Sequence, residues 1–149
     1  MRLQKNTLFA LCSVLEAASR PGEVLPAGAI ARTYGISPHH LAKVLRTLAR
    51  AGLVESARGV GGGYRFVGNA RRVTLMDVIE LFERVGAAPG AGGRRGRRAA
   101  RGAGENSGSV AVERALAAVL AEIDEIAVAT FRSISLATML KLVARARRA

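Results

Sequence analysis

The chain has 149 residues, half of them apolar, with four phenylalanines, two tyrosines, no tryptophan and a single cysteine, Cys12. That length suits one domain with a real core, built from Leu, Val, Ile and Ala on helices rather than in a β-sandwich; one cysteine excludes an intrachain disulfide and any multi-cysteine metal cage. The net charge of +12 points to a polyanionic partner, because a localised basic surface gains free energy by releasing the counterions of nucleic acid.

The charge is patterned. Residues 1–70 carry nine Lys/Arg against three acids, residues 71–85 balance, residues 86–109 carry five Arg against one Glu, and residues 110–149 carry six against four. The excess therefore sits in the N-terminal half and in one internal stretch. No run of about 18 apolar residues exists to span a bilayer. Asn6, Thr7 and Ser13 interrupt any charged-then-apolar leader, so the expectation is a cytoplasmic protein without a membrane partner.

In chain order, residues 4–19 read as a helix with Leu8, Leu11, Leu15 and Ala18 on one face, stopped by Pro21 and Gly22. Pro26 opens a short second helix through Tyr34, with Ile30 and Ala31 turned inward. Gly35 breaks the chain. Ser37 is a suitable N-cap and Pro38 a suitable first helical residue for a third helix running to about Ala51. Two helices joined by so tight a turn form a helix-turn-helix.

After Gly52, Leu53-Val54-Glu55 reads as a strand, residues 57–63 (ARGVGGG) as a glycine-rich turn, and Tyr64-Arg65-Phe66-Val67 as the returning strand. The pair makes a β-hairpin, the wing. Thr74 caps a fourth helix with Asp77 in capping-box position and Leu75, Val78, Ile79 and Phe82 on its apolar face. Residues 86–109 hold eight glycines and no large apolar side chain, which predicts a flexible loop. A long helix from about Val110 to Thr130 spaces Val112, Leu116, Val119, Ile123, Ile126 and Ala127 or Thr130 in alternating steps of four and three. That 3.5-residue seam calls for a partner helix. Ser135 caps a last helix with Leu136, Met139, Leu140 and Val143 inward. The predicted organisation is a winged helix-turn-helix over residues 1–85, a Gly/Arg loop over 86–109, and a dimerisation and C-terminal helix pair over 110–149. The fold class is mainly α with a small β-hairpin.

The third helix carries the functional argument. Leu41, Val44, Leu45 and Leu48 form one stripe, and His39, His40, Lys43, Arg46, Thr47 and Arg50 form the other. A capped helix with that basic face, following a tight turn, is shaped for the major groove of double-stranded DNA. Ser37, His39, His40 and Lys43 at the N-terminal end are expected DNA contacts, the last three reaching base edges, whereas Arg46 and Arg50 would touch phosphates. In the wing, Arg58 precedes glycines 61 to 63, among which Gly61 and Gly62 allow close backbone approach to another surface. An arginine at a hairpin tip can enter the minor groove, where negative potential concentrates. A phosphate loop for nucleotides is disfavoured, because the run leads into Tyr64 and a strand rather than into Lys-Ser/Thr and a helix.

The opening MRLQKNTLFAL, the segment YGISPHHLAKVLRTLARAGLV, the wing ARGVGGGYRF, TLMDVIELFE and the later FRSISLATMLKLV resemble the Rrf family of winged-helix regulators, the group of the iron–sulfur regulator IscR and the nitric-oxide sensor NsrR. The resemblance covers nearly the whole chain apart from residues 86–109. It implies a homodimer whose long helix crosses to its partner, two recognition helices on a palindromic operator, and, usually in this family, repression. It also implies base contacts at His39, His40 and Ala42, and minor-groove entry at Arg58. Ala42 stands where one branch of the family carries a cytosine-reading glutamate, which implies a different operator.

The departure from the family is in the loop after the fourth helix, where cluster-binding members place three cysteines and this chain has none. Thr7-Leu8-Phe9 likewise offers no ligand where some relatives supply one. The expectation is therefore a regulator without an iron–sulfur cluster or other cofactor, since iron in such clusters needs thiolates or a few substitutes. His39 and His40 point in different directions on a helix and are read as DNA contacts, not metal ligands. The five arginines of residues 86–109 are read as a solvated loop, with phosphate or small-anion binding as the other possibility. Cys12 is read as a small buried hydrophobe, the alternative being a thiol redox switch answering to an oxidant; a small-molecule or redox effector stays open. A second alternative is a non-specific nucleic-acid binder that uses charge alone. An enzyme is not expected, because no nucleophile with a base, carboxylate pair or metal cluster is visible.

Overall fold

The computed structural model describes residues 2–85 and 107–149, the side chains of the latter from Val110 onward. The expected loop over residues 86–109, with its arginines, lies outside the described residues as far as residue 106. The elements run α1 (Lys5–Ala18), α2 (Ala27–Tyr34), α3 (Pro38–Arg50), β1 (Val54–Ala57), β2 (Gly63–Phe66), α4 (Leu75–Ile79), α5 (Ser107–Ser133) and α6 (Leu136–Ala146). This is the mainly helical, hairpin-bearing architecture that the sequence predicts.

The core lies where α1, α3 and α4 meet. Ile30, Leu41, Leu45, Leu48, Ile79 and Leu136 are fully buried in it, each contributing roughly 1.5–3 kcal/mol by leaving water. Of the expected apolar face of α1 only Ala18 is buried. Thr7, Ala10, Val14 and Ala17 are buried, whereas Leu8 is 46% exposed and Leu11 and Leu15 are only half-buried. Small side chains let α1 approach α3 closely, so the leucine stripe is displaced to the outside although its spacing is equally helical. One cost is visible: the Thr7 hydroxyl is buried with no hydrogen-bond partner.

Pro26 occupies the cap position of α2 rather than its first helical residue. The wing strands pair antiparallel with Val54 opposite Phe66 and Ala57 opposite Gly63, one residue later in β1 and one earlier in β2 than expected. Leu25 adds a bridge to Tyr64, both backbone bonds at 2.8 Å, which gives the hairpin a third pairing edge. The Thr74 capping box is present, but α4 stops at Ile79 and Phe82 follows in a turn, half-buried.

α5 begins at Ser107, three residues before the expected start, and at 27 residues it extends for roughly 40 Å. Its C-terminal end is latched to the body. Thr74 bridges Ser135, the Leu75 amide donates to the Ile134 carbonyl and the Leu136 amide to that of Val73. Arg132 pairs with Glu80 at 3.1 Å. Further up the helix, Val112, Leu116, Val119, Ile123 and Ile126 are all 49–60% exposed, so the seam read from the sequence has no cover among the described residues.

Candidate nucleic-acid interface

The turn between α2 and α3 follows from three residues. Gly35 ends α2 with φ of 63°, a left-handed conformation that side-chain-bearing residues adopt at a cost. Ile36 is buried and anchors the turn. Ser37 then caps α3, its hydroxyl accepting from the His40 amide at 3.3 Å, with Pro38 as first helical residue.

The amphipathic division of α3 is as expected. Leu41, Val44, Leu45 and Leu48 are buried, and His39, His40, Ala42, Lys43, Arg46 and Arg50 are exposed. Thr47 differs from its neighbours on that stripe. It is half-buried and its hydroxyl donates to the Lys43 carbonyl one turn back, so its proton is committed within the helix. Lys43, Arg46 and Arg50 form no ion pair among the described residues. Uncompensated cations on one helix face produce a positive potential at no desolvation cost, which suits phosphates and base acceptors.

His40 is not a loosely solvated side chain. Its Nε2 donates to Asn6 Oδ1, and its ring meets Phe9 edge-on at 5.7 Å between centroids. The ring is thereby fixed against α1 through Nε2. Asn6 and Phe9 were not singled out by sequence reasoning. Their role depends on a contact across 34 positions that no local pattern signals.

The wing turn spans residues 58–62 and presents Arg58 to solvent. Arg65 is held across the strands by Glu55 at 2.6 Å, whereas Arg58 has no ion-pair partner among the described residues, so the two wing arginines are electrostatically unlike. Positive φ occurs at Gly59 (99°) and Gly61 (76°), and Val60 between them is fully exposed at the apex. Gly62 and Gly63 serve the fold instead. A Cβ on Gly62 would lie 2.5 Å from the Ala57 carbonyl oxygen, and one on Gly63 would collide with the Leu25 carbonyl. Val60, an apolar side chain at a tip, is a second feature that sequence reasoning passed over.

Cys12 lies elsewhere, half-buried on the outer side of α1 beside α6. Burial pushes its thiol above the ordinary range. Among the described residues no group of three His, Cys, Asp or Glu side chains is arranged to hold a metal ion, and no helix is long and apolar enough to cross a membrane.

A family model described as Rrf2, iron-dependent transcriptional regulator, matches residues 3–142. BadM of Rhodopseudomonas palustris, which bears the name of an HTH-type transcriptional regulator, is 50% identical over 148 residues, covering 99% of this chain and 86% of its own. The regulator NsrR of Bacillus subtilis is 38% identical over 84 residues, 56% of this chain and 58% of its own. Two solved structures share the fold. CymR, the global cysteine regulator of B. subtilis, aligns with a TM-score of 0.69 at 20% identity, covering 95% of this chain and 98% of its own. IscR of T. potens aligns at 0.64 and 23% identity, covering 100% and 93%. The chain therefore belongs to the Rrf2 family of transcriptional regulators, in agreement with the resemblance carried by its helix-turn-helix and wing.

Proposed function

We propose that this regulator binds a palindromic DNA operator as a homodimer, reads it with α3 and the wing, and represses by blocking promoter access. The observation that carries the reading is the exposed face of α3, where Lys43, Arg46 and Arg50 stand without acidic partners among the described residues, beside a fixed His40. Lys43 and the two histidines read base edges, Arg46 and Arg50 bind phosphate, and Arg58 enters the minor groove beside Val60. The uncovered seam of α5 supports dimerisation, since a regular apolar stripe on one helix is stabilised by a second such stripe.

The family's iron chemistry does not fit this donor set. The chain has one cysteine and two histidines in all; Cys12 faces α6, whereas His39 and His40 sit on the exposed face of α3. A cluster needs several thiolates or substitutes converging on one point. The proposed protein is cluster-free, and no step of its action is routed through iron.

Selection of bound fragments from genomic DNA, followed by footprinting, tests the reading. The expected result is a protected two-fold-symmetric site bound at least about a thousandfold more tightly than random duplex at equal salt. Equal affinity for all sequences, with salt dependence alone, would instead identify a charge-driven non-specific binder.

A thiol switch at Cys12 is the second reading, and the raised pKa opposes it, because the thiolate is the reactive form. Burial favours the neutral thiol, so the thiolate fraction at pH 7 is small and grows only as pH climbs past the ordinary thiol range. Iodoacetamide labelling of the native protein should be slow at pH 7 and accelerate only once pH passes the ordinary thiol range; rapid labelling at pH 7 would restore the switch.

A further inference from the structure

α1 turns its displaced leucine side toward α6, and between them lies an open groove of about 740 Å³ that DNA reading leaves unused. Leu15, Met139, Leu140, Val143 and Cys12 line its apolar length. At one end Glu16, with its side chain only 10% exposed, accepts from Tyr34 Oη at 2.8 Å and pairs with Arg20 at 3.1 Å. Arg147 reaches the same carboxylate more loosely, at 3.8 Å, and the neighbouring Arg148 has no acidic partner among the described residues. One carboxylate thus pairs with two guanidinium groups, Arg20 and Arg147, while Arg148 lines the same groove beside Arg147. Burial and the Glu16 carboxylate push the Tyr34 phenol up to about 12, so it remains a hydrogen-bond donor.

An apolar trough closed at one end by excess positive charge matches a molecule with the complementary division. We propose that this groove binds a small organic carboxylate with an alkyl or aryl body, its head group on Arg147 and Arg148 and its body along Leu15, Met139, Leu140 and Val143. The volume is that of a small-ligand site, within the usual range of roughly 300–1,000 Å³. The seam of a partner's α5 is apolar from Val112 to Ile126 and offers nothing to Arg147 and Arg148, so a partner helix is the poorer occupant.

The position also suggests a consequence for DNA, which rests on the DNA-binding reading above. Tyr34 is the last residue of α2, and Gly35 and the turn into α3 follow it directly. A carboxylate that draws Arg147 away from Glu16 alters the same buried acid that holds Tyr34, and so bears on the placement of the recognition helix.

Calorimetry on the full chain without DNA tests the site, with octanoate, 1-octanol and inorganic phosphate as probes. Octanoate should bind once per chain, octanol at least tenfold more weakly, and phosphate not measurably. The double variant Arg147→Gln/Arg148→Gln should weaken octanoate at least tenfold and leave octanol unchanged. Ala144→Phe, which adds bulk on the groove wall, should abolish both, and saturating octanoate should slow iodoacetamide labelling of Cys12 at least fivefold. Equal affinity for octanoate and octanol, binding indifferent to these variants, or no heat at millimolar octanoate would overturn the proposal. So would a Cys12 as fully shielded without ligand as with it, the result expected if a partner helix fills the groove. In a separate arm, octanoate should change operator affinity at least fivefold; unchanged affinity with octanoate bound overturns the regulatory consequence alone. Failure to bind any DNA would count against the DNA reading and leave the calorimetric result standing.

Discussion

In α3 the four apolar residues Leu41, Val44, Leu45 and Leu48 are all buried, whereas in α5 the equally regular Val112, Leu116, Val119 and Ile123 are each about half exposed. Both helices are amphipathic by spacing. The difference lies in what surrounds them. α3 is enclosed by α1, α2 and β1, so its stripe is satisfied within the chain and its polar side is released for another task. α5 joins the body near its C-terminal end, through the Ser135 joint, Arg132 and the packing of Val128 and Phe131, and its stripe has no apolar cover among the described residues. One sequence thus contains a self-sufficient winged-helix body, the proposed reading head, and an arm whose apolar stripe would be stabilised by the proposed association.

The most disruptive way to break this comparison is to charge the arm. Val119→Asp combined with Ile123→Asp should convert the dimer to monomer in sedimentation and lower operator affinity by a hundredfold or more, since the second half-site no longer adds to the first. The winged-helix body should keep its helical circular dichroism, and loss of all structure would show that the two regions are not separable. Charging the other helix's buried stripe is unnecessary, because a simple truncation suffices. Leu45→Ala should cost about 2–5 kcal/mol in urea unfolding, where a comparable truncation on the arm, Leu116→Ala, should act mainly through the concentration dependence of the transition.

Polar changes on the reading head should be milder and should spare folding. Lys43→Ala should cost about 1–3 kcal/mol of operator binding and relax preference at one base position, measured by competition with substituted duplexes; full retention of preference would remove Lys43 from base reading. Asn6→Ala never touches DNA in this arrangement, yet by freeing His40 it should loosen preference at the His40 position with little change in salt dependence. The smallest effect is expected inside the body. Thr7→Val removes a buried hydroxyl that has no partner and should raise stability by about 1 kcal/mol, seen as a higher melting temperature with DNA binding unchanged.

Local chemistry made much of the fold legible. Gly35, Ser37 and Pro38 fix the turn, and Thr74 with Asp77 fixes the start of α4, because caps and turns act over three or four residues. The seam of α5 was equally readable, as it depends on spacing alone. What failed was the choice between two helical faces on α1. Leucines mark hydrophobicity, but Thr7, Ala10 and Ala17 win the interior because the neighbouring helix lies close, and closeness is a tertiary fact. The site followed the same rule. The basic side of α3 and Arg58 could be named from sequence, while Asn6 and Phe9 enter only through contacts spanning the chain, and the neutralisation of Arg65 by Glu55 needed the strand register.

The bridge between Thr74 and Ser135 has a geometric consequence. It clamps the root of the arm to the reading head by backbone bonds, so the arm behaves as a strut of fixed angle and not as a tether. Two such struts joined along their length would act as a rigid gauge, holding the two heads at a set pitch. Such a gauge accepts sites separated by whole turns of the duplex, about 34–36 Å. A single inserted base pair at the operator centre would turn one head off its groove, and the penalty should recover when a full turn of spacer is restored.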